Sequence, residues 1–266
     1  MNLQLEGQHI LITGGSKGIG LACARGFLDE GARVTLVSRD PAHLEAGVQA
    51  LRSGGQLDET CLQVRTADLR DPAAALAALD SAEQDFGPVD VLVNSAGAAR
   101  RTPAAELTPQ AWHDAMQAKY FTYIHMMDPV VQRMGARGRG VIVNVIGSGG
   151  KVASPIHLPG GAANAALMLV SAGLAAAWGP RGVRVNAVNP GLTLTDRLKE
   201  GMAADARAQQ ISVEEAMARA HAKLPLGRMA RPEEIANAVV FLASPRASYI
   251  TGAILAMDGA VTPMVV

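Results

Sequence analysis

The sequence predicts an α/β fold, a doubly wound parallel sheet covered by helices on both faces, and three observations carry that prediction. Short apolar runs rich in Val, Ile and Leu alternate with stretches of helical length along the 266 residues. The runs are continuously apolar, which marks strands buried on both faces. A glycine-rich turn, Thr13-Gly14-Gly15-Ser16-Lys17-Gly18-Ile19-Gly20, joins the first run to the first helical stretch.

The elements follow in order. His9–Thr13 is the first strand, and a helix is expected over residues 18–31. Arg33–Ser38 is the second strand, followed by a helix over Pro41–Ser53. Leu62–Thr66 precedes a helix over Pro72–Phe86. Residues 89–94 form the fourth strand, before one long helix over 108–135. Gly140–Val145 precedes a helix over 160–179, and residues 184–189 form the sixth strand. A helix over 231–244 and a short strand over 253–257 complete about seven parallel strands. Residues 192–229 are long and polar with helical patches. They follow a strand's carboxyl end, where ligand-covering elements belong, and are expected to form a lid. Nothing marks a second domain, so residues 1–266 are expected to form one dinucleotide-binding domain of Rossmann type.

Composition narrows the function classes. Twenty-four basic and 24 acidic residues cancel, which gives no reason to expect nucleic acid or an acidic membrane as partner. Cys23 and Cys61 fall in apolar stretches and suggest neither a disulfide framework nor a metal site. The six histidines show no metal-ligand spacing. A reducing cytoplasm is the expected compartment. The N-terminus is polar up to Gln8 and lacks a signal peptide's order. Residues 160–178 carry no charge, yet Asn164, Ser171 and glycines interrupt them, and they barely reach the ~20 residues of a membrane span. They read as a buried or subunit-interface helix.

The glycine motif has a physical reading. Gly14 permits a tight turn off the strand, while Gly18 and Gly20 remove side chains where the loop meets the helix. The helix N-terminus then offers free N–H groups and partial positive charge to a pyrophosphate. Its spacing resembles that of the short-chain dehydrogenase/reductase family. The resemblance continues through Asp68-Leu69, Asn94-Ser95-Ala96-Gly97, Gly182-Val183-Arg184-Val185-Asn186, Asn189-Pro190-Gly191 and Pro225-Leu226-Gly227-Arg228. It ends with Pro232-Glu233-Glu234-Ile235-Ala236, Ser248-Tyr249-Ile250-Thr251-Gly252 and Met257-Asp258-Gly259.

That resemblance implies a cofactor site. Gly14, Ser16, Lys17, Gly18, Ile19 and Gly20 would cradle the pyrophosphate. Asp68 would hold the adenine amino group beside Leu69, and Asn94, Ala96 and Gly97 would line adenosine and ribose. Pro190, Gly191, Thr193 and Thr195 would cover the nicotinamide and pyrophosphate. An NAD-specific member carries an acidic residue at the end of the second strand. Here Ser38 and Arg39 stand there, with Lys17 in the glycine turn, and such cations suit a 2′-phosphate. NADP(H) is therefore expected over NAD(H).

The family's catalytic pair, a Tyr followed four residues later by a Lys, has no counterpart. The three tyrosines, Tyr120, Tyr123 and Tyr249, precede Ile124, Met127 and Ala253 at that spacing. Counting back from Gly182 to the family positions, the Tyr falls at Gly160, the Lys at Asn164 and the Ser at Gly147. The structural Asn of the fourth helix falls at Lys119. Lys119 and Ser148 are the candidate substitutes, and Lys151 and His157 border the same loop. Arg100 and Arg101 follow the fourth strand and are candidates for holding an anionic substrate. Tyr120 and Tyr123 are expected to pack within the fourth helix. Gly160 and Asn164 are expected to leave a cavity. Two readings stay open: an oxidoreductase with a reorganised proton-transfer site, or a non-catalytic dinucleotide-binding sensor or partner subunit. Non-redox chemistry is a weaker third. The uncharged helix and the apolar segment 253–266 imply a homo-oligomer, a dimer or tetramer.

Overall fold

In the computed structural model, residues 1–55, 57–97 and 100–263 are described. Seven parallel strands form one sheet in the order β3-β2-β1-β4-β5-β6-β7. They are β1 His9–Thr13, β2 Arg33–Ser38, β3 Leu62–Thr66, β4 Val91–Asn94, β5 Gly140–Val145, β6 Val183–Pro190 and β7 Ile254–Met257. The order reverses between β1 and β4, which opens a crevice at the strands' carboxyl ends.

Strand pleating divides the core between two faces. Ile10 and Ile12 of β1 point to one face, with Phe27, Ile235 and Val239. Leu11, between them, points to the other, with Leu92, Tyr123, Met126 and Ile142. The first face is covered by α1 Gly18–Asp29, α2 Pro41–Ser53 and α9 Pro232–Ala243. The second is covered by α3 Pro72–Phe86, α5 Thr122–Arg137 and α6 Leu158–Trp178.

The long helix expected over 108–135 is broken. α4 Pro109–Ala115 runs into a π-helical turn, Met116–Phe121, before α5 begins. A π-helical turn inserts one residue into the hydrogen-bond ladder and rotates the side chains that follow. The loop after β4 fits against this turn: Gly97 has φ of +90°, and a Cβ there would lie 2.2 Å from the Ala118 carbonyl.

α6 is long and apolar enough to cross a membrane by length and composition. Here it lies on the sheet and buries one stripe, including Gly160, Asn164, Leu167, Ser171 and Ala175. Its outer face is not buried, contrary to a helix enclosed all round: Leu169 is 77% exposed. A buried polar chain fixes α6 to the sheet. Thr13 Oγ1 donates to Asn94 Oδ1, Asn94 Nδ2 to Asn144 Oδ1, and Asn144 Nδ2 to Ser171 Oγ.

Residues 192–229 fold as a helical pair, α7 Asp196–Gln209 and α8 Val213–Ala222. Leu198, Met202 and Met229 form its small core. Leu194 N–H donates to Ala230 O, and Ala230 N–H to Leu192 O, which clips the base of the pair. Residues 264–266, the end of the segment expected at an interface, lie outside the described residues.

Candidate active site

The cofactor corner is built where β1 stops. Thr13 Oγ1 accepts the N–H groups of Ser95 and Ala96, which ties the end of β1 to the loop after β4. Gly14 adopts φ of +67°, and a Cβ there would lie 2.7 Å from Ala96 Cα. A Cβ on Gly20 would lie 2.2 Å from the Gly14 carbonyl, so α1 packs directly on the turn. Among the described residues no side chain caps the first N–H groups of α1, which opens at Gly18, while Ile19 packs on the core beneath.

Ser16 is buried and its hydroxyl donates to Ser38 Oγ at 3.3 Å, which brings the glycine turn to the end of β2. Lys17 and Arg39 are exposed beside that contact. The tight turn, the uncapped helix start and these two cations fit a nicotinamide dinucleotide, and these residues could hold one. Asp68 is engaged already: Arg70 donates to it from Nε and Nη2. That hydrogen bonding, ahead of the smaller pull of Arg39, lowers the Asp68 pKa to about 2. Arg70 is a neighbour that the motif reading did not single out. Leu69 is buried next to it, and Asn94 is buried in the polar chain of the sheet. Ala96 and Gly97 lie in the loop that rests on β1 and the π-helical turn.

On the far side, Pro190 ends β6 and Gly191 N–H donates to Met257 O. Thr193 is buried and bridges Ala230, and the Thr195 methyl lies 3.4 Å from where a Gly18 Cβ would be. The lid therefore begins in contact with the glycine turn.

The proton-transfer region gathers round Lys119. Its Nζ donates to Tyr123 Oη at 2.8 Å and to the Val145 carbonyl at 3.3 Å, at the carboxyl end of β5. Tyr123 Oη donates to the same carbonyl at 2.6 Å. Burial, then the charge of Arg197, lowers the Lys119 pKa to about 7. Lys119 nevertheless keeps part of its surface accessible, whereas Tyr123 has none. Burial drives the Tyr123 pKa upward, so its phenol stays neutral. Tyr123 packs within its helix as expected. Its hydroxyl as a partner of Lys119 was missed, although Lys119-x-x-x-Tyr123 is a readable helical spacing.

The space expected at Gly160 is filled. The His157 imidazole lies over Gly160, where a Cβ would come within 2.1 Å of its Cε1. Burial, then the charges of Arg101, Arg197 and Lys119, lowers the His157 pKa to about 4. Its Nδ1 and Asn164 Oδ1 are buried without hydrogen-bond partners among the described residues. Asn164 Nδ2 lies 3.3 Å from where a Gly147 Cβ would be. Ser148 and Lys151 line a small cavity of about 90 Å³ with Asn189 and Asp258. Arg100 is exposed, while Arg101 turns under α7 with its guanidinium against Gly201. A larger cavity of about 600 Å³ is lined by lid residues, including Leu194, Met217 and Met229, and by none of the candidate catalytic groups. Among the described residues no cluster of His, Cys, Asp and Glu could hold a metal.

The sequence family described as Enoyl-(Acyl carrier protein) reductase matches residues 14–262. A D-threitol dehydrogenase of Mycolicibacterium smegmatis is 37% identical over 264 residues, covering 98% of this chain and 95% of its own. An actinorhodin polyketide ketoreductase solved with NADPH superimposes with a TM-score of 0.91 at 30% identity, covering 97% of this chain and 98% of that one. The NADPH-bound structure of a Pseudomonas aeruginosa PAO1 short-chain oxidoreductase, described as containing an atypical catalytic center, superimposes with a TM-score of 0.84 at 30% identity and the same coverage.

Proposed function

Since the chain belongs to the short-chain dehydrogenase/reductase family, we propose that it is an NADP(H)-dependent oxidoreductase acting between a small alcohol and its carbonyl compound, with Lys119 as proton donor. The observation that carries this reading is the Lys119 ammonium, set at the end of β5 with a pKa near 7. A general acid works best when its pKa lies near the working pH. The bound cofactor would supply or accept the hydride. Lys119 would hold a proton at Nζ for the carbonyl oxygen, and Tyr123 and Val145 would fix that Nζ. Ser148 is a second candidate donor.

The solved relative with an atypical catalytic center supports a departure from the Tyr-x-x-x-Lys arrangement within this fold. Lys17, Ser38 and Arg39 support NADP(H) over NAD(H), and two solved relatives hold NADPH. The exposed apolar face of α6 supports a homodimer or homotetramer. A cytoplasmic location accords with Cys23 and Cys61, both free thiols. The test pairs calorimetric NADPH binding with NADPH oxidation against a carbonyl panel, in the natural chain and in Lys119→Ala. Binding with no oxidation of any substrate would replace this reading with a non-catalytic dinucleotide-binding protein.

A further inference from the structure

Four basic side chains from four separate segments converge under the lid. Arg101 comes from the loop after β4, Lys119 from the π-helical turn, His157 from the loop before α6, and Arg197 from the first turn of α7. The two loops are joined, since Thr102 N–H donates to Ile156 O at 2.9 Å. Arg101, Arg197 and Lys119 all act on His157, Arg101 acts on Arg197, and Arg197 acts on Lys119.

At pH 7 His157 is neutral, so the charges are those of Arg101, Arg197 and in part Lys119, and like charges in partly desolvated surroundings repel. Asp205 acts on Arg101 and Glu200 on Arg197, both from α7. Arg101 forms no ion pair or hydrogen bond among the described residues, although it is largely enclosed. Its position is built in. A Cβ on Gly201 would lie 2.9 Å from the Arg101 Cζ, so the bare backbone of α7 provides the seat.

We propose that this cleft takes a substrate with an anionic group, a carboxylate or a phosphate, held by Arg101 and Arg197 with its carbonyl end toward Lys119. A guanidinium fork matches either anion in bidentate fashion. A bound anion would offset the mutual repulsion of Arg101 and Arg197. It also favours the charged form of Lys119, so its arrival loads the proton that reduction consumes. The groups around that ammonium are the Tyr123 hydroxyl on its own helix, the Val145 carbonyl at the end of β5, Arg197 on α7 and His157 on the loop before α6. The placement of the carbonyl end rests on the oxidoreductase reading; the anion seat does not.

Calorimetry on the protein with and without NADP⁺ tests the seat directly. The probes are 4-oxopentanoate against its methyl ester, and dihydroxyacetone phosphate against dihydroxyacetone. At least one anion should bind about tenfold or more tightly than its neutral partner, the size of one charge-assisted hydrogen bond. Which pair shows the larger ratio tells carboxylate from phosphate. Arg101→Gln and Arg197→Gln should each remove the preference, and Arg101→Lys should keep part of it. Gly201→Ala should weaken it while leaving the melting temperature nearly unchanged, because the atom displaced is the flexible end of Arg101. Binding at pH 8 should take up protons, read from two buffers of different ionisation enthalpy. Equal binding of anions and neutral partners, no anion binding at millimolar concentration, or a preference that survives both Gln substitutions would overturn the proposal. Anion preference without turnover of any carbonyl would leave the seat standing and defeat the oxidoreductase reading.

Discussion

Lys119 is held at a cost. Between about pH 7 and the ordinary lysine value, the unfolded chain keeps a proton that the folded chain has released. The unfolded state binds more protons there, so this group's contribution makes stability rise with pH across that window. Replacing it with an uncharged side chain of similar length removes a desolvated charge. Lys119→Met should therefore raise folding stability by ~1 kcal/mol, read from urea unfolding at pH 7. The same variant should lose carbonyl reduction by ~10²–10⁴-fold, as expected for a removed general acid. In the natural chain, reduction should fall as pH rises through about 7, because the donor loses its proton. A flat profile from pH 6 to 9 would reject Lys119 as the acid. Arg39 is the second residue on which the reading turns. Arg39→Ala should reduce NADP(H) affinity by ~10–100-fold and leave NAD(H) affinity unaltered, in proportion to one charge-assisted hydrogen bond to the 2′-phosphate. Equal losses for both cofactors would remove the stated preference. Both residues were legible as candidates because a lysine and an arginine stand where the family pattern has other side chains. Of what surrounds Lys119, only Tyr123, four residues on, was legible. Val145 and Arg197 meet it only through the packing of the helix on the sheet and the folding of the lid.

At the scale of elements, the strands were readable because each is short, continuously apolar and closed by a turn signal. Leu11 between Ile10 and Ile12 shows why: both neighbouring faces are covered, so every position is apolar. The π-helical turn was not readable. The apolar spacing over 108–135 suits one helix, and a one-residue insertion leaves no composition signal. Nor could the filling of the Gly160 position be read, since it depends on how the loop before α6 folds back. That filling changes what restoring the family pair would do. Tyr at 160 and Lys at 164 alone should fail to raise reduction, because the new Cβ meets the His157 ring. Adding His157→Ala to the pair should open the space and increase NADPH oxidation over the two-residue variant. If the pair alone gains activity, His157 does not hold the position described. The glycine turn offers a sharper test of an element. Gly20→Ala places a methyl against the Gly14 carbonyl, a backbone atom that cannot swing away. It should cost ~1–3 kcal/mol of stability and abolish dinucleotide binding, measured by chemical unfolding and calorimetry.

For the whole molecule, α6 poses the remaining physical question. Its inner stripe is fixed to the sheet through Ser171, while Leu169 and the neighbouring alanines face outward with no charge among them. A contiguous apolar patch of more than a few hundred Å² is uncommon on a soluble monomer. The helix was legible as apolar from its sequence, but which side faces water in the single chain was not, because small residues line both faces and blur the periodicity. Ala-rich outer positions allow two such helices to approach closely, and a two-fold axis would set the face against its own copy. The natural chain should therefore sediment as a dimer or tetramer at micromolar concentration. Leu169→Arg would place a charge at the centre of that contact and leave the cleft untouched. The variant should shift toward monomer while keeping its helical circular dichroism and its NADPH affinity. A natural chain that sediments as a stable monomer, or a variant that associates as strongly as the natural chain, would assign the apolar face of α6 to something other than self-association.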